Sequence, residues 1–412
     1  MRKTIAMMAT LDTKGEEVKY LKEQFEKRGK DVLIIDTGLR GSPTSVQPDV
    51  TREKLAEASG SSMDVVQREG RRRAIEIMVP GIVKVVRELY ARGRFQGIMS
   101  IGGMDGALLA SAGMRALPLG VPKLIVTPVA EGSTRFGPYV GTSDMIMMHS
   151  VIDILGINEI SKKIFDNAVG AMVGMVDMEG SLTIGRGKNV IAATMYGNTT
   201  PAVMMAKKLL EERGYQVVVF HPNGTGGRAM EELVEQGFFT AVLDMTTHEI
   251  VDELFDGVHA AGPHRLETAG KKGIPQVVVP GCINFILLGP LESLSSEYKK
   301  RKLYPFNPAV TMVRTTHEEM ITIGKVMAEK VNQTLGPTVV IIPLRGFSMY
   351  CREGESLYDP EGDRIFIDTL KEHLRPQIPV MEVDANINEP VFAQTTVSAL
   401  MRILEQSSKA GL

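Results

Sequence analysis

The residues best suited to chemistry lie in loops that follow apolar, strand-like runs. The richest is Phe220-His-Pro-Asn-Gly-Thr-Gly-Gly-Arg-Ala-Met230. Gly224, Gly226 and Gly227 can turn successive amides toward one point, Thr225 adds a hydroxyl, and Arg228 adds a fixed cation. Donors so arranged suit a phosphate or another anion. The segment lacks the Gly-Lys-Ser/Thr ending of a Walker loop, so it is not that motif.

Other strand-following loops carry similar equipment. Thr10-Leu-Asp-Thr-Lys-Gly15 is polar, leads into a helix and holds one cation, Lys14. Asp12 or Thr13 can contact a ligand there or simply cap the helix. Asp36 ends the second strand, where dinucleotide folds place an acid on ribose hydroxyls, although no GxGxxG precedes it. In Ser100-Ile-Gly-Gly-Met-Asp-Gly106, Gly102 and Gly103 let backbone approach a ligand closely. That turn resembles the Gly-Gly-Asp-Gly turns of small-molecule kinases, with Met104 interposed before Asp105. Gly141, Thr142 and Ser143, followed by Asp144, can bond phosphate or cap a helix. Asp244, Thr246, Thr247, His248 and Glu249 crowd one strand end. His248, Glu249 and Asp252 hint at a metal, but no second histidine lies at ligand spacing, so no metal site is assigned. Cys282, after Pro280-Gly281, reads as a small buried thiol rather than a nucleophile.

Such loops need strands and helices to aim them. Strands are predicted at Thr4–Ala9, Val32–Asp36, Gly97–Ile101 and Lys123–Thr127. In the second half they are predicted at Val190–Met195, Gln216–Phe220, Thr240–Asp244, Gln276–Val279, Thr311–Arg314, Thr338–Ile342 and Val380–Val383. Helices fit between most of them. Strand–helix alternation with continuous apolar strands means parallel sheets covered by helices on both faces. The fold class is α/β with two Rossmann-like lobes, one over residues 1–185 and one over 186–412. The stretch Gly38–Gly70, rich in Gly, Ser, Pro and Asp, reads as a mobile excursion or lid. Residues 5–36 and 190–221 align without a gap at an offset of about 185, and in both copies the helix ends in Arg-Gly before the next strand. In open α/β sheets ligands sit at the carboxyl ends of the strands, where helix N-termini favour anions.

Composition sets wider limits. The 412 residues, 43% hydrophobic and 23% charged, suit two or three globular domains. The formal net charge of −2 supplies no global field for nucleic acid or an anionic membrane. No stretch reaches the ~18 apolar residues of a membrane span. Two cysteines without a CxxC pair give no zinc knuckle or disulfide framework, and with no export signal the expected compartment is the cytoplasm.

Several segments together resemble the Tm-one-like ATP-binding family, which includes the tomato inhibitor of tobamovirus RNA replication. They are Thr10-Leu-Asp-Thr-Lys-Gly15, Gly141-Thr-Ser-Asp144, Gly224-Thr-Gly-Gly-Arg-Ala-Met-Glu231, Asp244-Met-Thr-Thr247, Ala261-Gly-Pro263, Pro275-Gln-Val-Val-Val-Pro-Gly281 and Arg314-Thr-Thr316. Cys282-Ile-Asn284 and Tyr304-Pro-Phe-Asn307 depart from the more polar residues expected of that pattern. The resemblance implies two Rossmann-like lobes, ATP binding and a homodimer. On this reading ATP lies in a cleft between the lobes. Its adenosine would meet Asp12, Asp36, Gly102 and Gly103, and its phosphates Lys14 or the Gly224–Arg228 turn. A kinase or ligase using Mg-ATP would draw its carboxylate from Asp105, Asp144 or Asp244. A small anionic substrate at the second glycine turn, or a nucleotide-regulated module without turnover, are the other readings.

Overall fold

The structure is a computed structural model that describes residues 2–43, 45–130, 139–178 and 189–410. The chain forms two compact units, Met1–Leu182 and Thr183–Leu412. The break expected at Met178–Asn189 falls mostly on residues 179–188, outside the described ones.

The first unit runs β1 (Thr4–Ala9), α1 (Leu11–Lys27), β2 (Asp31–Asp36), α2 (Arg52–Ala58), α3 (Met63–Arg68), α4 (Arg71–Ala91), β3 (Gly97–Ile101), α5 (Met104–Arg115), β4 (Lys123–Thr127), β5 (Ile146–His149) and α6 (Glu159–Asp177). Its five strands are all parallel, in the order β2-β1-β3-β4-β5. Alternate residues of β1 serve opposite layers, as the two-residue strand period requires. Ala6 and Met8 pack with Met78, Ile82 and Ala110 of α4 and α5. Ile5 and Met7 pack with Leu21 and Phe25 of α1 and Phe165 of α6. Burial on both faces explains why these strands read as unbroken apolar runs.

Gly38–Gly70, expected as a mobile excursion or lid, is partly helical. It contains α2 and α3, capped by the Thr51 and Ser62 hydroxyls, which accept from the amides of Lys54 and Val65. Leu55, Ala56 and Val66 bury their side chains in the same core as α4.

The second unit opens with β6 (Val190–Thr194), α7 (Thr200–Glu211), β7 (Gln216–Phe220), α8 (Thr225–Glu235), β8 (Ala241–Asp244), α9 (Glu249–Leu254), α10 (Thr268–Lys271) and β9 (Gln276–Val278). It continues with β10 (Phe285–Leu288), β11 (Leu303–Asn307), β12 (Val310–Arg314), α11 (His317–Val331), β13 (Thr338–Pro343), α12 (Pro360–His373), β14 (Val380–Val383) and α13 (Pro390–Ala410). Six parallel strands stand in the order β7-β6-β8-β9-β13-β14. Its first four strands repeat the order of the first unit, so the repeat read in the sequence is also a repeat of topology. The strand predicted at Thr311–Arg314 is β12, which lies outside the large sheet. It pairs antiparallel with β10 and β11 in a separate three-stranded sheet.

Candidate functional site

In both sheets the chain reverses its winding direction between the first and third strands, which opens a crevice at their carboxyl ends. In the first unit this edge joins the turns after β1, β2 and β3. Asp36 holds two of them together, because its Oδ1 accepts from the amides of Leu11 at 3.2 Å and Gly38 at 2.8 Å. Its Oδ2 is buried with no hydrogen-bond partner among the described residues, as are Asp12 Oδ1, Thr37 Oγ1 and Ser100 Oγ. Buried polar groups are nearly always paired, so four orphans at one sheet edge call for an explanation. Burial pushes the Asp36 carboxyl above its ordinary range. The Gly38 and Leu11 amides and the Arg52 charge oppose that rise, while Asp12 adds to it.

The neighbouring residues are less free. Thr13 is exposed, and its hydroxyl bonds back to Thr10. The Lys14 ammonium donates to the Ile154 carbonyl, and Lys14 leaves helical geometry within α1 (φ −122°, ψ 18°). After β3, Gly103 is the N-cap of α5 without a side-chain cap, and Gly102 packs against Gly106. Asp105, in the first turn of α5, pairs with Arg71 at 2.7 Å. Burial, then the Asp105 charge, raises the pKa of the Tyr139 phenol, whose hydroxyl is another buried orphan.

In the second unit the glycine turn has a different occupant from the one expected. Glu249 Oε1 accepts from the amides of Gly224 at 2.6 Å and Gly227 at 3.1 Å. Gly226 donates to Asn223 Oδ1, and Arg228 Nε donates to the Gly224 carbonyl. The cradle is therefore filled by a carboxylate of the same chain. Gly227 is glycine because of this contact, since a Cβ there would stand 1.8 Å from Glu249 Oε2. Arg265 completes the network. It reaches Glu249 at 2.7 Å, Asp244 through two nitrogens at 2.5 and 2.8 Å, and Glu231 at 3.3 Å. Asp244 also accepts from the Thr194 hydroxyl at 2.7 Å. A fork-to-fork pair of this kind fixes geometry as well as charge.

Beside this network lies an aromatic and imidazole cluster. Tyr196 stacks on His221 with ring centroids 5.3 Å apart and packs against His248 and His259. His248 lies 3.3 Å from Asp252, one helical turn on, and its Nδ1 stands 2.8 Å from the Cys282 carbonyl. His259 arrives from the loop after α9. Its amide donates to Asp252 Oδ2, and its Nδ1 meets the Tyr196 hydroxyl at 3.0 Å. One ligand atom each from His248, Asp252 and His259 lie within 4.8 Å of one another. Burial, helped by the neighbouring His248, pulls the His259 pKa down to about 4. Burial also acts to lower that of His248, but the charge and hydrogen bond of Asp252, the Cys282 carbonyl and the Glu249 charge together outweigh it and the pKa rises. Cys282 is fully buried with its thiol pushed far up by burial, which removes it as a nucleophile.

The N-terminal domain model of the uncharacterised protein family UPF0261 matches residues 3–181, and the C-terminal domain model matches residues 188–404. The chain belongs to UPF0261. A UPF0261 protein of Clostridium tetani (strain Massachusetts / E88) is 44% identical over 408 residues, covering 98% of this chain and all of the relative. The ToMV resistance protein Tm-1(GCR237) of Solanum lycopersicum is 33% identical over 430 residues. That match takes in 97% of this chain and 56% of the tomato protein. The family resemblance read from the motifs thus holds. Among solved structures, a UDP-N-acetylglucosamine 2-epimerase aligns over 68% of this chain and 79% of its own. It does so at 11% identity and a TM-score of 0.25, too slight a likeness to carry an argument.

Within this UPF0261 chain the expected site residues fall into three groups. Asp12, Asp36, Gly102, Gly103 and Asp105 share the carboxyl edge of the first sheet, with Thr13 and Lys14 beside them. Gly141, Thr142, Ser143 and Asp144 do not join them. Asp144 bonds the Gly120 amide at 2.7 Å and the buried Lys123 ammonium at 2.6 Å, at the start of β4. They therefore lie at the amino edge of the sheet, opposite the crevice. Asp144 serves there as the counter-charge of a buried lysine rather than as a catalytic acid. In the third group, the amides of Gly224 and Gly227 and the Asp244 carboxylate are engaged by the Arg265–Glu249 network, and the Gly226 amide is engaged by Asn223. Sequence reasoning missed Tyr196 and His259, and it marked Arg265 only as the arginine of a loop-to-helix turn, without its partners. His248 and Asp252 at a four-residue spacing were the available signal, but their third partner comes from an irregular loop with no period to follow.

Proposed function

We propose that the first unit of this UPF0261 protein binds a nucleotide, with ATP as the ligand, at the switch-point edge between β1 and β3. The observation that carries this reading is the set of unpartnered buried oxygens on Asp12, Asp36, Thr37 and Ser100. Carboxylates at the ends of strands accept from ribose hydroxyls, and a nucleoside would satisfy several orphans at once. The uncapped start of α5, with Gly102 and Gly103 ahead of it, suits the phosphates. Asp105 is the acid best placed to hold a magnesium ion on those phosphates, because it stands in the first turn of α5 at this edge and its partner, Arg71, is an exposed side chain that can swing away.

The test is titration calorimetry of the full chain with Mg-ATP. Asp36→Asn keeps an oxygen for the Leu11 and Gly38 amides and replaces the unpartnered acceptor with a donor. Loss of a hydrogen bond to a charged group is worth about 1.5–3 kcal/mol, so the affinity should fall by at least about tenfold. Absence of ATP binding by the wild type, or equal affinity in the variant, would overturn the assignment.

A further inference from the structure

We propose that His248, Asp252 and His259 form a binding site for a divalent transition-metal ion of the zinc class at the carboxyl edge of the second sheet. This goes beyond the nucleotide reading and does not rest on it.

The argument starts from the tautomer of His248. The Cys282 carbonyl at 2.8 Å can only accept, so Nδ1 must carry a proton. In the neutral ring Nε2 is then a bare lone pair. It is buried, has no hydrogen-bond partner among the described residues, and lies 3.3 Å from Asp252 Oδ2. Two lone pairs facing each other in a dry interior repel unless a cation lies between them, either a second ring proton that makes the contact a salt bridge or a metal ion in its place. His259 supplies a third donor within the same 4.8 Å span. Three ligands of the types histidine, histidine and carboxylate, with a position left over, are the pattern of open zinc sites.

The surroundings agree. Metal-bound histidines usually donate their second nitrogen to a carbonyl or a similar group, which orients the ring. His248 does so to Cys282, a non-glycine residue held at φ +60°. Such strain persists where the surrounding structure fixes a functional geometry. Tyr196 holds His259, and the Leu287 amide donates to Asp252 Oδ1 at 3.0 Å. Charge points the same way. Among the described residues, Asp244, Glu249 and Glu231 share one guanidinium, that of Arg265, while Asp252 faces His248, which is a cation only when protonated. A divalent cation would offset much of that excess.

The probe is Co²⁺, followed by Zn²⁺, added to the full chain after chelator treatment. The expected result is saturable binding of about one Co²⁺ per chain, with the intense visible absorption of a four- or five-coordinate ion that Zn²⁺ displaces. His259 is only partly buried, so His259→Ala should fold. It should weaken Co²⁺ binding at least about tenfold, since removing even an outer-shell partner costs that much. Asp252→Asn should do the same. No saturable absorption in the wild type, or wild-type affinity in a folded His259→Ala, overturns the proposal. ATP titration of the same variants reads the first unit separately.

Discussion

Replacing Gly227 with alanine is the sharpest probe of the self-filled glycine turn. A Cβ at this position would lie 1.8 Å from Oε2, 2.5 Å from Cδ and 2.6 Å from Oε1 of Glu249. The carboxylate has to leave, breaking its bonds to the Gly224 and Gly227 amides and to Arg265 Nε. Breaking a buried charge pair in this way costs about 3–5 kcal/mol. At about 2–4 °C per kcal/mol for a unit of this size, the melting temperature of the second unit should fall by about 6–20 °C. The chain has no tryptophan, so far-ultraviolet circular dichroism is the appropriate readout. The decisive comparison is a double-mutant cycle. In a Glu249→Ala background the clash is absent, and Gly227→Ala should cost less than about 1 kcal/mol. If the single variant melts like the wild type, or if the two costs simply add, the turn is not held by Glu249. A turn built instead for an external phosphate would lose ligand affinity and keep its stability.

Two further predictions concern charge. Asp144→Asn strips the counter-ion from the buried Lys123 and should cost about 1–3 kcal/mol of stability while leaving Mg-ATP affinity unchanged; loss of affinity without loss of stability would return Asp144 to the ligand site. Burial alone would raise the Glu267 carboxyl, but hydrogen bonds from Lys271 and Lys330 outweigh that and bring it down to about 2. A folded pKa below the unfolded one gives stability that is present above about pH 4.5 and is lost as pH falls toward 2. Urea midpoints compared at about pH 6 and about pH 3 should show a smaller acid loss in Glu267→Gln than in the wild type, and equal losses would contradict the pairing.

The parts of the fold legible in the sequence are those with a strong period. β1, α1 and β2 stood out because β1 and β2 are buried, apolar and bounded by Arg28-Gly29, and the second copy ends its helix the same way at Arg213-Gly214. β5 escaped notice because Ile146 and His149 are exposed and their neighbours half-buried, which leaves no alternation to read. α2 and α3 were hidden by the composition around them, and their caps, Thr51 and Ser62, emerge only in the structure. The candidate sites divide along the same line. Residues that follow a strand directly, such as Asp36 and Gly102, were found. Arg265 and His259 reach their partners from loops, and sequence spacing says nothing of where a loop returns. The glycine turn was recognised as an anion cradle, and it is one. What the sequence did not disclose is that its anion lies 22 residues downstream of Gly227.

That self-supply has a consequence for competition. Glu249 is tethered to the same chain and already oriented, so its carboxylate acts on the turn at an effective concentration well above the roughly millimolar level of a flexibly linked group. A free anion would have to outbid it and would leave a buried carboxylate and Arg265 short of a partner. The turn is thus shielded from the phosphates and organic acids of its surroundings, and a scan for glycine-rich motifs will go on reporting a vacancy where there is a sitting tenant.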